Sequence, residues 1–171
     1  MKSRLITTVA IVALLVSALP GLAVAGDQRS GPMQTLPGFA VIDGSHVSVN
    51  ASGDRATVNV RTRGLVSGNA YTLWSFSFSH PEHCQHGTGA ALCGPGDDGA
   101  GPQGFKVQFV AGHPIGGSGK VRFGGSIVVP DAADAEYHIV IADHGATDPA
   151  QLPGQIKTPS LDGVQIGFIL P

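Results

Sequence analysis

The chain reads as an all-β protein, an antiparallel β-sandwich of about eight strands with a small closed β-barrel as the alternative architecture. Three observations predict this. Polar and apolar residues alternate with period two from Phe39 onward, the signature of strands with one buried face. The segments between them are rich in Gly, Pro, Asn and Asp, which accept the backbone angles of turns. Helix-building residues are scarce: Glu occurs only at Glu82 and Glu136, while 171 residues include 25 Gly and 12 Pro.

The expected strands follow in order. Residues 39–42 and 46–50 are short apolar and alternating runs. Residues 55–63 form the cleanest alternation, with Ala56, Val58, Val60 and Thr62 opposite Arg55, Thr57, Asn59, Arg61 and Arg63. Residues 69–79 place Ala70, Thr72, Trp74, Phe76 and Phe78 on one side and Tyr71, Leu73, Ser75, Ser77 and Ser79 on the other. Further strands are expected over 105–111, 120–129, 136–143 and 164–170. Only 130–135 has the look of a helical turn. Many short strands with turns at this spacing suit two packed sheets or a closed one.

The first 25 residues are expected to be a signal peptide. Lys2 and Arg4 form a positive head, Leu5 begins a mostly apolar stretch, and Ala23-Val24-Ala25 offers the small residues signal peptidase accepts. An uncleaved anchor would need about 20 apolar residues, and Pro20-Gly21 interrupts this run. No later segment is long and apolar enough to span a bilayer. Residues 26–37 are expected to be a flexible leader, and 38–171 a single β domain. The implied location is secreted, periplasmic or otherwise in the cell envelope.

Charge narrows the partners. Without Lys2 and Arg4, 10 − 2 = 8 Lys and Arg face 12 Asp and Glu, a balance of −4. Nucleic-acid binding is therefore not expected, because phosphate tracking relies on an excess of clustered cations.

Two connections are too long to be simple turns and are where function is expected. The first, 80–104, holds both cysteines, three histidines and the pair Asp97-Asp98, expected to form part of a binding loop. The second is 144–163. Cys84 and Cys93, an even number in an exported chain, are expected to form a disulfide. His80, His83 and His86, spaced by three, together with His113 and His144 are the candidate metal ligands, since imidazole suits Cu and Zn. The spacing matches no recognised ligand motif, and with Cys84 oxidised and Met33 in the leader a type 1 copper site is ruled out. The starting expectation is accordingly no cofactor, with Cu or Zn as the alternative.

Other motifs fail on context. Gly94-Pro95-Gly96-Asp97-Asp98-Gly99 fits G-x-G-x-x-G by letter, but no helix follows and two acids would face the phosphate. Gly116-Gly117-Ser118-Gly119-Lys120 misses the nucleophile-elbow pattern at its last position.

The runs GLVSGNAYTLWSFSFSHPEHC, LCGPGDD, FVAGHPIGGSGKVRF and AEYHIVIADHG resemble a group of small exported bacterial proteins across about residues 55–165. The matching positions are Gly68, Tyr71, Trp74, Pro81, Cys84, Cys93, Gly94, Asp97, Gly112, His113, His144 and Gly145. The resemblance implies an exported β domain with a disulfide loop and no particular activity. The stretch 136–145 is also distantly similar to chordin-type (CHRD) domains, although their closely paired histidines are absent here, His138 being followed by Ile139 and Val140.

Three functions are consistent with these readings. The first is a non-enzymatic β protein that binds a protein, glycan or small molecule through the 80–104 and 144–163 loops. The second is a transition-metal binding protein using the loop histidines. The third is a hydrolase with an unrecognised site.

Overall fold

The computed structural model describes residues 26–158 and 162–171, so the expected signal peptide lies outside the described residues. Eight strands follow one another: β1 (Asp27–Thr35), β2 (Val41–Ser52), β3 (Arg55–Thr62), β4 (Asn69–Phe78), β5 (Phe105–Pro114), β6 (Val121–Val128), β7 (Glu136–Ala146) and β8 (Gly163–Ile169). All pairings are antiparallel, and the strands form one sheet in the order β5-β4-β7-β8-β1-β2-β3-β6.

The sheet curls until its two edges, β5 and β6, face each other. The side-chain amide of Gln108 on β5 bridges them, donating through Nε2 to the Val128 carbonyl at 2.9 Å and accepting from the Val128 N–H at 3.1 Å. It stands in for the missing peptide pairing. Gly125 permits this approach, because a Cβ there would sit 2.6 Å from the Val110 carbonyl oxygen. Of the two all-β architectures the sequence leaves open, the continuous and nearly closed sheet is the barrel. Closure also removes the exposed edges that an open sheet would present to other chains.

The barrel interior is the alternation of the sequence made three-dimensional. Val47 and Val49 of β2, Val58 of β3, Leu73 of β4, Ile139 and Ile141 of β7 and Met33 of β1 are all fully buried in one cluster. A buried polar contact crosses it, Thr62 Oγ1 donating to Gln165 Oε1 at 2.6 Å.

Three expectations are corrected. Residues 26–37 are not a leader: β1 fills the gap between β2 and β8. Its alternation is weak, but Met33 enters the core and Arg29 donates to the carbonyls of Ala132, Ala135 and Leu170 at 2.7–3.1 Å. Long-range contacts that no local pattern announces thus hold it. The runs expected at 39–42 and 46–50 are not separate strands: residues 41–42 and 46–50 belong to the single strand β2, and Phe39 and Ala40 precede it. The helical turns also lie elsewhere, at Pro81–His83, Pro95–Asp97 and Leu152–Gln155, while 130–135 is a non-helical turn.

Candidate binding site

The aromatic face of β4 points outward. Tyr71 and Leu73 belong to the interior cluster, so Thr72, Trp74, Phe76 and Phe78 lie on the outer surface of the barrel. Register places Phe109, Val107 and Phe105 of β5 beside them on one side and Val140, His138 and Glu136 of β7 on the other. Phe168 of β8 pairs with His138. A chain of ring contacts crosses four strands: Phe105 to Phe78 at 5.2 Å, Phe78 to His138 at 5.2 Å, His138 to Phe168 at 4.8 Å, and Phe168 to Phe39 at 6.2 Å.

The disulfide loop folds over one end of this face. Cys84 and Cys93 are bonded, with Cα atoms 5.0 Å apart. Two buried carboxylates organise the loop. Asp97 accepts the N–H groups of Gln85, His86 and Gly94 at 2.9–3.0 Å and the Nδ1 of His86 lies 2.9 Å away, so it joins residues flanking both cysteines. Burial alone would raise its pKa, but these donors outweigh it and hold Asp97 well below the usual carboxylate range. Glu136, fully buried on β7, accepts the N–H groups of Leu92 and Cys93 at 2.9 and 3.2 Å and lies 2.6 Å from Nε2 of His138. One carboxylate thus closes the loop on itself and the other fastens it to the barrel.

A cleft of about 480 Å³ opens between the loop and the sheet. Thr88, Gly89, Ala90 and Ala91 form its loop wall, and Phe39, Phe168 and Leu170 its apolar floor. Phe39 has a left-handed backbone, φ 53°, and stays 53% exposed. A bulky residue in that conformation is uncommon and marks a position worth a functional explanation. The turn is held by Thr35, whose N–H donates to the Ala40 carbonyl and whose carbonyl accepts the Phe39 N–H, each at 2.9 Å.

The second loop leaves the opposite end of β4 and β7, since Asn69 pairs with Ala146 and Phe78 with Glu136. The two loops therefore do not arise from one edge of the fold. The second loop folds back over β5, where Gly112 is bare: a Cβ there would meet the Ile156 carbonyl oxygen at 2.6 Å. Gln155 Nε2 donates to the carbonyls of His144 and Ala146 at 3.1 and 2.9 Å, fixing the return.

The candidate metal ligands are scattered. His80 and His83 are exposed with rings 6.3 Å apart, and His86 is engaged by Asp97. His113 lies at the other end of β4, paired with Tyr71, its ring 4.7 Å from the interior Phe123. His144 is also at that end but outside the barrel, with Nε2 2.8 Å from Thr72 Oγ1. At about 3.3 Å per strand residue, Tyr71 and Ser79 are about 26 Å apart. Among the described residues no group of three or more His, Cys, Asp or Glu gathers as a metal set. Of the acidic pair, Asp97 is occupied inside the loop. Asp98 is exposed, and burial raises its pKa, with His138 opposing and Asp97 reinforcing the shift.

The hydroxyl–imidazole pair Thr72–His144 lacks the access a nucleophile requires. Thr72 is fully buried and its oxygen accepts the Trp74 Nε1–H at 2.8 Å, which leaves no approach for a substrate carbonyl.

Sequence reasoning passed over Glu136, Phe39 and Phe168. The rarity of Glu was a signal for Glu136, and the Pro37-Gly38 turn for Phe39; nothing local marks Phe168. Comparison with protein-family models, curated proteins and solved structures finds no match to this chain.

Proposed function

We propose that the protein is a non-enzymatic binding module of an oxidising compartment, and that its disulfide loop and outer aromatic face receive an apolar or aromatic ligand. The observation behind this reading is the cleft between residues 88–91 and Phe39, Phe168 and Leu170. Its size and predominantly apolar lining suit a small molecule or a single apolar group of a larger partner. The buried carboxylates nearby are spent on backbone N–H groups and are poor candidates for acid–base chemistry. The disulfide fits an extracytoplasmic setting, and among the described residues no helix is long and apolar enough to cross a membrane.

Titration with the uncharged dye Nile red tests the reading. A saturable fluorescence rise at one dye per chain, abolished by Ala90→Trp, which fills the cleft, is the expected result. No saturable rise, or a rise unchanged in Ala90→Trp, would overturn it.

A further inference from the structure

The outer surface of the barrel changes character around its circumference. Over β5, β4, β7 and β8 it is aromatic; over β2, β3 and β6 it is polar and cationic. In β3 the inward residues Ala56, Val58, Val60 and Thr62 are buried, which turns Arg55, Thr57, Asn59 and Arg61 outward. Register then sets His46 of β2, Arg61 of β3 and Arg122 of β6 in one row across three adjacent strands. Arg63 and Lys120 lie just beyond the next paired position, Thr62 with Val121.

Arg61, Arg63, Lys120 and Arg122 line a shallow cleft of about 400 Å³. A second, of about 280 Å³, shares Arg61 and Arg122 and adds His46 and Asn59. No acidic residue lines either. Four of the eight Lys and Arg that follow residue 25 are thus gathered on one face of a chain whose net charge is negative. Among the described residues none of the four forms an ion pair, nor does any donate a side-chain hydrogen bond. Like charges directly opposite each other on antiparallel strands destabilise the pair, so Arg61 facing Arg122 has no structural justification in the fold itself. An oxyanion between them would satisfy the planar N–H forks of both guanidinium groups.

We infer that this face binds an anionic polysaccharide, a chain bearing sulfate or carboxylate groups, at a site separate from the apolar cleft. All four cations line the larger cleft and two of them, Arg61 and Arg122, also border the adjoining one, so the charge runs along the strands instead of converging on one point. Arg61 and Arg63, two residues apart on one edge, are separated by about 6.7 Å, and neighbouring strands by about 4.8 Å. That layout suits an extended ligand with repeating charges better than a single free ion. His46 and Asn59 supply further hydrogen-bonding groups for hydroxyls. Single-stranded nucleic acid fits less well, because base recognition relies on exposed aromatic platforms and the one aromatic residue near this face, Phe123, is turned inward and buried.

The test uses the untagged protein and a heparin-derived octasaccharide at about 0.15 M salt, followed by calorimetry. Binding that weakens as salt rises, falls by about tenfold or more in the double variant R61Q/R122Q, and is kept in R55Q is the expected result. Arg55 lies six residues from Arg61 along β3, about 20 Å away and beyond the screening length. Uncharged dextran should not bind, and inorganic sulfate should compete only at far higher concentration. The inference is overturned if the octasaccharide does not bind, if R61Q/R122Q binds as well as the parent, if inorganic sulfate binds as tightly as the oligosaccharide, or if oligo-dT of equal charge binds more tightly. Both substitutions are exposed and remove a like-charge pair, so R61Q/R122Q should unfold at no lower temperature than the parent, which separates lost binding from lost fold.

Discussion

The Glu136 carboxylate lies 2.6 Å from Nε2 of His138, two residues along β7 on the same outward face, and both residues are buried. The other contacts of Glu136 are the N–H groups of Leu92 and Cys93, so a barrel residue holds the loop by its backbone. Replacing Glu136 with Ala leaves the buried Cys93 donor and the part-buried Leu92 donor without their acceptor and is expected to cost about 2–4 kcal/mol. Hydrogen exchange at Leu92 and Cys93 should accelerate together. Amides that stayed protected in Glu136→Ala would show that the disulfide alone positions the loop.

Asp97 gives the loop an acid limit. Its folded-state pKa is depressed, despite the opposing effect of burial, by the donors from Gln85, His86 and Gly94. A depressed carboxylate contributes stability that is complete above the unfolded value, near ~3.9, and is lost as pH falls from there toward the folded value. Limited proteolysis within residues 85–92 should therefore increase below about pH 4 while the barrel circular dichroism persists. Asp97→Asn should be cleaved at neutral pH with little further change on acidification.

His144 imposes a second pH dependence at the opposite end of the fold. Burial lowers its pKa, and the negative charges of Asp143 and Asp162 work against that shift. Trp74 donates to Thr72, which leaves the Thr72 hydroxyl hydrogen free for Nε2 of a neutral imidazole. The unfolded ring takes a proton near ~6.5 and the folded ring only at lower pH, so stability should fall as pH drops below about 6.5 and level off once the folded ring is protonated. Ring-proton NMR should show His144 titrating below the ordinary imidazole value of about 6.5. Thermal melts of His144→Gln, which keeps an acceptor for Thr72, should lack the same pH step.

Phe39 sets stability against binding. Its left-handed backbone disfavours a bulky residue by about 1–2 kcal/mol, whereas Asn tolerates it. Phe39→Asn is expected to leave the melting temperature unchanged or raise it, since the ring is already half exposed. The same change removes part of the cleft floor and should weaken Nile red binding several-fold. A variant that lost stability and kept dye binding would assign Phe39 to packing alone.

Much of the fold was legible because alternation is a local property. The runs at 55–63, 69–79, 105–111 and 164–170 became β3, β4, β5 and β8 with small changes at their ends. Cysteine parity named the disulfide. β1 was not legible: its stability comes from Met33 entering a core built by distant strands and from Arg29 reaching carbonyls more than a hundred residues away. The candidate site was legible only as a loop. The importance of Glu136 and Phe168 depends on what covers or faces them, which their neighbours in sequence do not encode.

The sequence by itself determined that residues 69–79 have two faces, one with Trp74, Phe76 and Phe78 and one with Tyr71, Leu73, Ser75 and Ser77. Tertiary structure alone decided that the aromatic face is the outer one. Alternation states which side chains share a side of a strand but is silent about which side the closing sheet will enclose. Composition likewise states ten Lys and Arg and twelve acids without their arrangement. Register brought Arg61 opposite Arg122, while strand direction sent His80 and His144 to opposite ends of β4. Side-chain placement across strands follows from pairing partners far apart in the chain, so charge segregation and the separation of the histidines come into being only when the barrel closes.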